Sequence, residues 1–361
     1  VANVREALGP RLAEAGPLTQ EAADRLMIAV DGTRDKGRLG ANALLAVSLA
    51  LARALASESA APLWRWLADG RPAWMPLPMV NMISGGLHAG GNLDLQDFLY
   101  LPVQARSFSE ALEMTCAVYR ALSETLRQHG HEGSLVGDEG GYGPRLGDSE
   151  QALEMLVQAS RRAGSDPAVA LDVAATHFFR EGRYHLNEGG GRVVESGWMV
   201  ERLEKWARAY PILSIEDGLA EDDLDGWKLL TERLGHLQLI GDDLFTTSLE
   251  RLKLGVEKNL ANALLAKPNQ VGTLTEALEV MSAAERAGYR VVVSARSGET
   301  EDDFLADLAV GSGAGQIKVG GVARSERLAK YNRLLRIEEE GLPFASWSVL
   351  KARSGGPALP K

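Results

Sequence analysis

The 361-residue chain is 45% hydrophobic and 24% charged, the balance of a folded globular protein and too apolar for a long disordered one. Its 39 basic and 49 acidic residues leave a formal charge of −10, which excludes broad binding to a nucleic-acid backbone but not capture of a small anion by a few cations focused in a cleft. The single cysteine, Cys116, excludes an intrachain disulfide and a thiolate zinc cluster and fits a reducing, cytoplasmic compartment.

The chain opens at Val1 with neither an initiator Met nor a basic-then-apolar leader, so part of its beginning is expected to be missing. Residues 1–70 predict helices, with apolar residues at helical spacing through Val4, Leu8 and Leu12, then Ala22, Ala23, Leu26 and Met27. A glycine-rich basic loop follows at 32–40. The apolar run 41–56 is short for a bilayer and holds Asn42, Ser48 and Arg53, so it predicts a buried core helix and no membrane segment.

From about Trp74 the texture changes. The runs "MPLPMVNMIS" and "DFLYLPV" predict two adjacent strands. Helices are expected over 109–129, opened by a Ser107-to-Glu110 capping box, and over 149–163. The string "GDEGGYGP" at 137–144 between them is too rich in glycine for a helix. Strands then alternate with helices. The strands are predicted at 168–172, 212–216, 237–242, 263–267, 290–294 and 316–318, the helices at 199–209, 224–234, 274–287, 302–309 and 325–340. An inserted hairpin accounts for the long gap after the first of these strands. Six βα units and two leading strands make eight, the number that closes a barrel; an open doubly wound sheet is the alternative, but no glycine fingerprint follows the first strand.

Asp172, Glu216, Asp242, Lys267 and Lys318 each fall at or near the end of an apolar strand. In a parallel barrel those ends share one face, where active sites form. Three carboxylates without His or Cys partners make an oxygen-only site for a hard dication, Mg²⁺ first. A lysine near such an ion and other cations is disfavoured as ammonium, which suits Lys267 to act as a base, while Lys318 could hold an anionic carboxylate. Cys116 lies in an amphipathic helix and reads as packed core. The acidic surface of "RIEEEG" reads as a solvated face. His129, His131, His177, His185 and His236 show no metal-ligand spacing.

The strings "GRLGANALLAVSLA", "HAGGNLDLQDF", "VGDEGGYGP", "ALDVAA", "SIEDGLAEDD", "GDDLF", "AKPNQVGTLTE", "SARSGETEDDFLADLAV" and "GQIKVGGVARSERLAKYNRLLRIEEE" resemble the enolase (phosphopyruvate hydratase) family, and the likeness runs from Val1 to about Leu342. The resemblance implies an α/β fold, a TIM-type (β/α)8 barrel of ββαα(βα)6 type with a truncated, mainly helical N-terminal capping domain. The domains are expected at 1–72 and 73–345, with a flexible or surface-packed tail at 346–361. It implies a homodimer, Mg²⁺ and a small anionic phospho-carboxylate substrate, with no nucleic acid or membrane. By the same resemblance Asp172, Glu216 and Asp242 are metal ligands, Lys267 is the base and Glu139 the acid that helps the hydroxyl depart. Lys318 is the carboxylate-side cation, Arg296 and Ser297 bind phosphate, and His88 and Gln96 are substrate contacts. The chemistry agrees: deprotonation beside a carboxylate leaves two negative charges on one small group, which only concentrated positive charge stabilises.

Four departures from the family pattern stand out. Asp97 stands where the family has a Glu that works with the acid around the leaving hydroxyl, and Ala295 where it has His. Val319 replaces Thr and Leu87 replaces Ser. The given sequence, whose beginning is expected to be missing, starts after the family's N-terminal sheet and the loop that closes over the substrate. The expected function is elimination of water from 2-phosphoglycerate. One alternative is a paralogue acting on another phospho- or phosphono-carboxylate, as carboxyphosphonoenolpyruvate synthase illustrates. The other is an enolase-like binding protein with impaired catalysis, which retention of five costly charges opposes.

Overall fold

Short runs of buried aliphatic residues form the framework of the protein, whose computed structural model describes residues 1–353, with side chains through Leu350. The strands in chain order are β1 (Leu77–Ser84), β2 (Asp97–Tyr100), β3 (Val169–Asp172), β4 (Phe179–Arg180), β5 (Arg183–Leu186), β6 (Arg192–Val194), β7 (Ile212–Glu216), β8 (Gln238–Gly241), β9 (Ala263–Ala266), β10 (Arg290–Ser294) and β11 (Gly315–Gly320). Eight of them close a barrel in the order β1-β11-β10-β9-β8-β7-β3-β2, and β4, β5 and β6 form a separate three-stranded sheet where the inserted hairpin was expected. β2 runs antiparallel to β1 and β3; the other neighbours are parallel. The closed barrel, rather than the open sheet, is therefore the architecture.

The helices are α1 (Gly9–Ala15, preceded by a π turn at Asn3–Leu8), α2 (Gln20–Asp31), α3 (Ala41–Glu58), α4 (Leu63–Ala68), α5 (Phe108–Gln128), α6 (Ser149–Arg162), α7 (Ser196–Ala209), α8 (Leu224–Leu234), α9 (Leu249–Lys258), α10 (Pro268–Val271), α11 (Leu274–Arg286), α12 (Phe304–Gly311), α13 (Ser325–Glu338) and α14 (Trp347–Arg353). Among the described residues the segment before β1 holds helices only. Ser107 Oγ caps α5 by accepting from Glu110 N at 3.1 Å. The capping box is only half formed, because the Glu110 carboxylate turns back to Arg106 N at 2.8 Å.

The expected core helix at 41–56 is a correction. α3 has the length and apolarity of a membrane span but buries a single stripe, Leu44, Ser48, Ala52 and Ala56. Val47, Leu51 and Leu55 on another face line an open groove with Leu12 and Leu18.

This helical region is fastened to the barrel by buried polar contacts. Asp24 on α2 accepts from Thr275 N at 3.0 Å and Thr275 Oγ1 at 2.6 Å at the start of α11. Ser48 Oγ accepts from Leu274 N at 2.9 Å, and Lys36 pairs with Glu276 at 2.9 Å. At the bottom of the barrel Ala345 and Leu350 join Leu77, Leu99, Ile240, Leu265 and Val292 in one apolar cluster, and the Trp347 ring lies 5.4 Å from the Arg290 guanidinium. The tail expected from 346 thus opens with a helix whose Leu350 is buried. Its part at 354–361 lies outside the described residues.

Candidate active site

Parallel strands deliver their carboxyl ends to one rim, and register sets which side chains meet there. Asp172 ending β3 lies opposite Glu216 ending β7, and Ser294 on β10 lies opposite Lys318 on β11. Because β2 runs backwards, it brings its first residue, Asp97, to the same rim opposite Asp172. Asp242 and Lys267 each follow the last residue of their strand, β8 and β9.

The charges interlock. Lys318 Nζ donates to Asp172 Oδ2 at 2.8 Å and to both Glu216 oxygens at 2.7 Å. Lys267 Nζ donates to Asp242 Oδ2 at 2.5 Å, and Gln270 Nε2 to Asp242 Oδ1 at 3.1 Å. Asp217, held at a left-handed φ of 42°, turns its carboxylate to the backbone amides of Asp242 (2.9 Å) and Asp243 (2.7 Å) and so orients the following turn. On the opposite wall the 137–144 loop is laid against the barrel by Asp138 N donating to His88 O at 2.9 Å and Gly321 N to Glu139 O at 2.6 Å. Gly140 must be glycine: its φ is +85°, and a Cβ there would stand 2.7 Å from Ala323 O.

These groups surround a cavity of about 270 Å³. Of the residues expected in the site, His88, Gln96, Glu139, Asp172, Asp242, Lys267, Arg296, Ser297 and Lys318 line it. Asp97 and Glu216 do not. Glu216 lies beneath Lys318, and Asp97, 0% exposed, lies behind His88, with its oxygens on His88 Nδ1 (2.9 Å) and Asn81 Nδ2 (2.6 Å). Ala295 is buried in the wall, Leu87 stands 67% exposed at the mouth, and Arg296 and Ser297 are exposed at the rim. Sequence reasoning missed Asp138, His177, Asp217 and Asp243, all of which line the cavity. The doublets Glu216–Asp217 and Asp242–Asp243 carried a signal for two of them.

The electrostatics follow from crowding in a dry place. Burial, and then Asp172, push the Glu216 carboxyl well above the usual range. Burial pushes Asp172 the same way, but Lys318 outweighs it and leaves that carboxyl lowered. Burial works against charge on Lys267, yet Asp242 and Glu216 outweigh it and raise the ammonium. Lys318 acts on the same amine in the lowering direction. Burial also opposes charge on His88, but Asp97, Glu139 and Asp172 lift its imidazole to about 9.

Five carboxylates, from Asp172, Glu216, Asp217, Asp242 and Asp243, face only two lysines. Oxygens of Asp217, Asp242 and Asp243 lie within 4.8 Å of one another. The donors that Asp172, Glu216 and Asp242 offer are all oxygen, the chemistry that a hard divalent cation takes, and Asp217, bonded to the Asp242 amide, would help to orient that turn.

Residues 72–352 match the family model described as the enolase C-terminal TIM barrel domain, and residues 1–67 match the enolase N-terminal domain. Together with the closed eight-stranded barrel and its reversed second strand, these matches make the chain a member of the enolase family, an enolase-like lyase.

Proposed function

We propose that the protein is a Mg²⁺-dependent hydro-lyase that removes a proton beside a carboxylate and eliminates a β-hydroxyl, the nearest reaction being 2-phosphoglycerate to phosphoenolpyruvate and water. One observation carries the reading: the carboxylates of Asp172 and Asp242 and the amines of Lys267 and Lys318 line one cavity, with Glu216 held just beneath through Lys318 Nζ. Lys318, buried among carboxylates, supplies a fixed positive charge for the substrate carboxylate. Lys267 Nζ takes the α-proton once its own is lost. A dication held by the three carboxylates would neutralise the second negative charge that then forms on the substrate. Glu139, 6% exposed and facing the cavity, gives its proton to the leaving hydroxyl. Arg296 and Ser297 at the rim bind the phosphate.

A second reading is favoured by the seclusion of Asp97 behind His88 and by Ala295 in the wall: a related phospho- or phosphono-carboxylate in place of 2-phosphoglycerate. One assay separates the two. Phosphoenolpyruvate formation by the wild type is expected to need Mg²⁺, to stop with EDTA, and to fall by roughly 100- to 10,000-fold in Lys267→Ala. Background turnover by the wild type, rising by orders of magnitude in the Asp97→Glu/Ala295→His double variant, would replace the first reading with the second.

A further inference from the structure

Arg327 and Lys330 lie one turn apart on α13, and both are wholly buried. A buried guanidinium ordinarily faces a carboxylate, since an unpaired charge in the interior is costly. Arg327 spends its hydrogen bonds on backbone carbonyls instead. Nη1 donates to Arg296 O at 2.6 Å, and Nη2 donates to Ser297 O at 2.6 Å and to Asp138 O at 3.2 Å. The carboxylate of its neighbour Glu326 stands off at 3.7 Å from Nε. Two of these carbonyls belong to the loop with Arg296 and Ser297; the third precedes Glu139 on the opposite loop. Lys330 reaches the first loop alone, through Thr300 O at 2.5 Å and the Glu299 carboxylate at 2.9 Å.

A guanidinium is a rigid planar fork, so the groups it holds stay at a fixed separation. We propose that Arg327 is a positioning residue that sets the distance between the anion-binding loop at Arg296–Ser297 and the acid loop at Asp138–Glu139, and thereby the length of substrate that fits between them. The inference deepens the proposed function and rests on it for the roles of the two loops. Displacement of either loop by about 1 Å is enough to cost on the order of 100-fold in rate.

The test reads amide hydrogen exchange in the full chain without substrate, then kinetics. In Arg327→Met, exchange is expected to rise about tenfold or more at 138–140 and 296–298 together, as their shared anchor is lost. In Lys330→Met it rises only at 296–300. Arg327→Lys, which keeps the charge but not the fork, loosens both loops as Met does and covers the case in which the Met variant does not fold. With substrate, Arg327→Lys shows kcat lowered about 100-fold and KM raised, and millimolar guanidinium restores part of both in Arg327→Ala. Exchange rising in one loop only, or evenly through the barrel, or kinetics per folded molecule unchanged beside a lowered Tm, would overturn the proposal. A wild type inactive on 2-phosphoglycerate would sink the reaction assigned above while leaving the exchange result to decide this one.

Discussion

Asp97 reaches the rim in register with Asp172, yet its short side chain ends on His88 and Asn81 and leaves the cavity to the imidazole. His88 gains that counter-ion only in the folded chain, so its pKa rises on folding from 6.5 to about 9. The resulting stabilisation is whole below about pH 6.5 and is lost as pH climbs through 9. Asp97 acts in the same sense lower down: burial lifts its carboxyl from 3.8 to about 6, so the folded chain holds that proton more tightly and loses stability across that interval. Urea unfolding at pH 6 and pH 9 should show the wild type losing stability, by at most about 3 kcal/mol from this source, that His88→Asn does not lose. Equal losses in both proteins would refute the pairing. At this scale the lysines and the three carboxylates were legible because each falls at or near the end of an apolar strand. Arg327 and Lys330 were hidden, since a helix reading "SERLAKYNRLLRIEEE" looks like a solvated face until its neighbours are known.

Among the elements, the barrel strands were the most readable. Each is a short apolar run between turn signals, and all fell within two residues of expectation except β2, which ends at Tyr100, three residues before the expected run does. α9 was missed although its apolar residues keep helical spacing; only Leu252 and Gly255 of it are buried, and Gly255 lies so close to Phe245 that a Cβ would stand 2.3 Å from the ring. α3 was legible as a helix but not as a half-exposed one, because its composition is apolar all round while its neighbours cover one stripe. α14 had no signal of its own: its burial depends on the barrel bottom that receives it. Leu350→Ala should cost about 2–5 kcal/mol in urea unfolding, with kcat and KM per folded molecule unchanged. A loss below 1 kcal/mol would mean that the helix merely rests on the barrel.

For the whole molecule, the question is what holds the helical region to the barrel. Exposed pairs such as Arg34–Glu250 add little, whereas Asp24 satisfies two donors of Thr275 in the interior. Asp24→Ala is expected to destabilise by about 1–3 kcal/mol, and Arg34→Ala by under about 0.5 kcal/mol, in matched denaturant titrations. The reverse order would place the attachment at the surface. Long-range pairing of this kind has no trace along the chain, because partners some 250 positions apart share no local pattern. The packing of Ala345 and Leu350 beneath the strands has a last consequence. Among the described residues it seals the base of a barrel already filled by side chains, so the cavity lies at the other rim and opens beside the exposed Leu87.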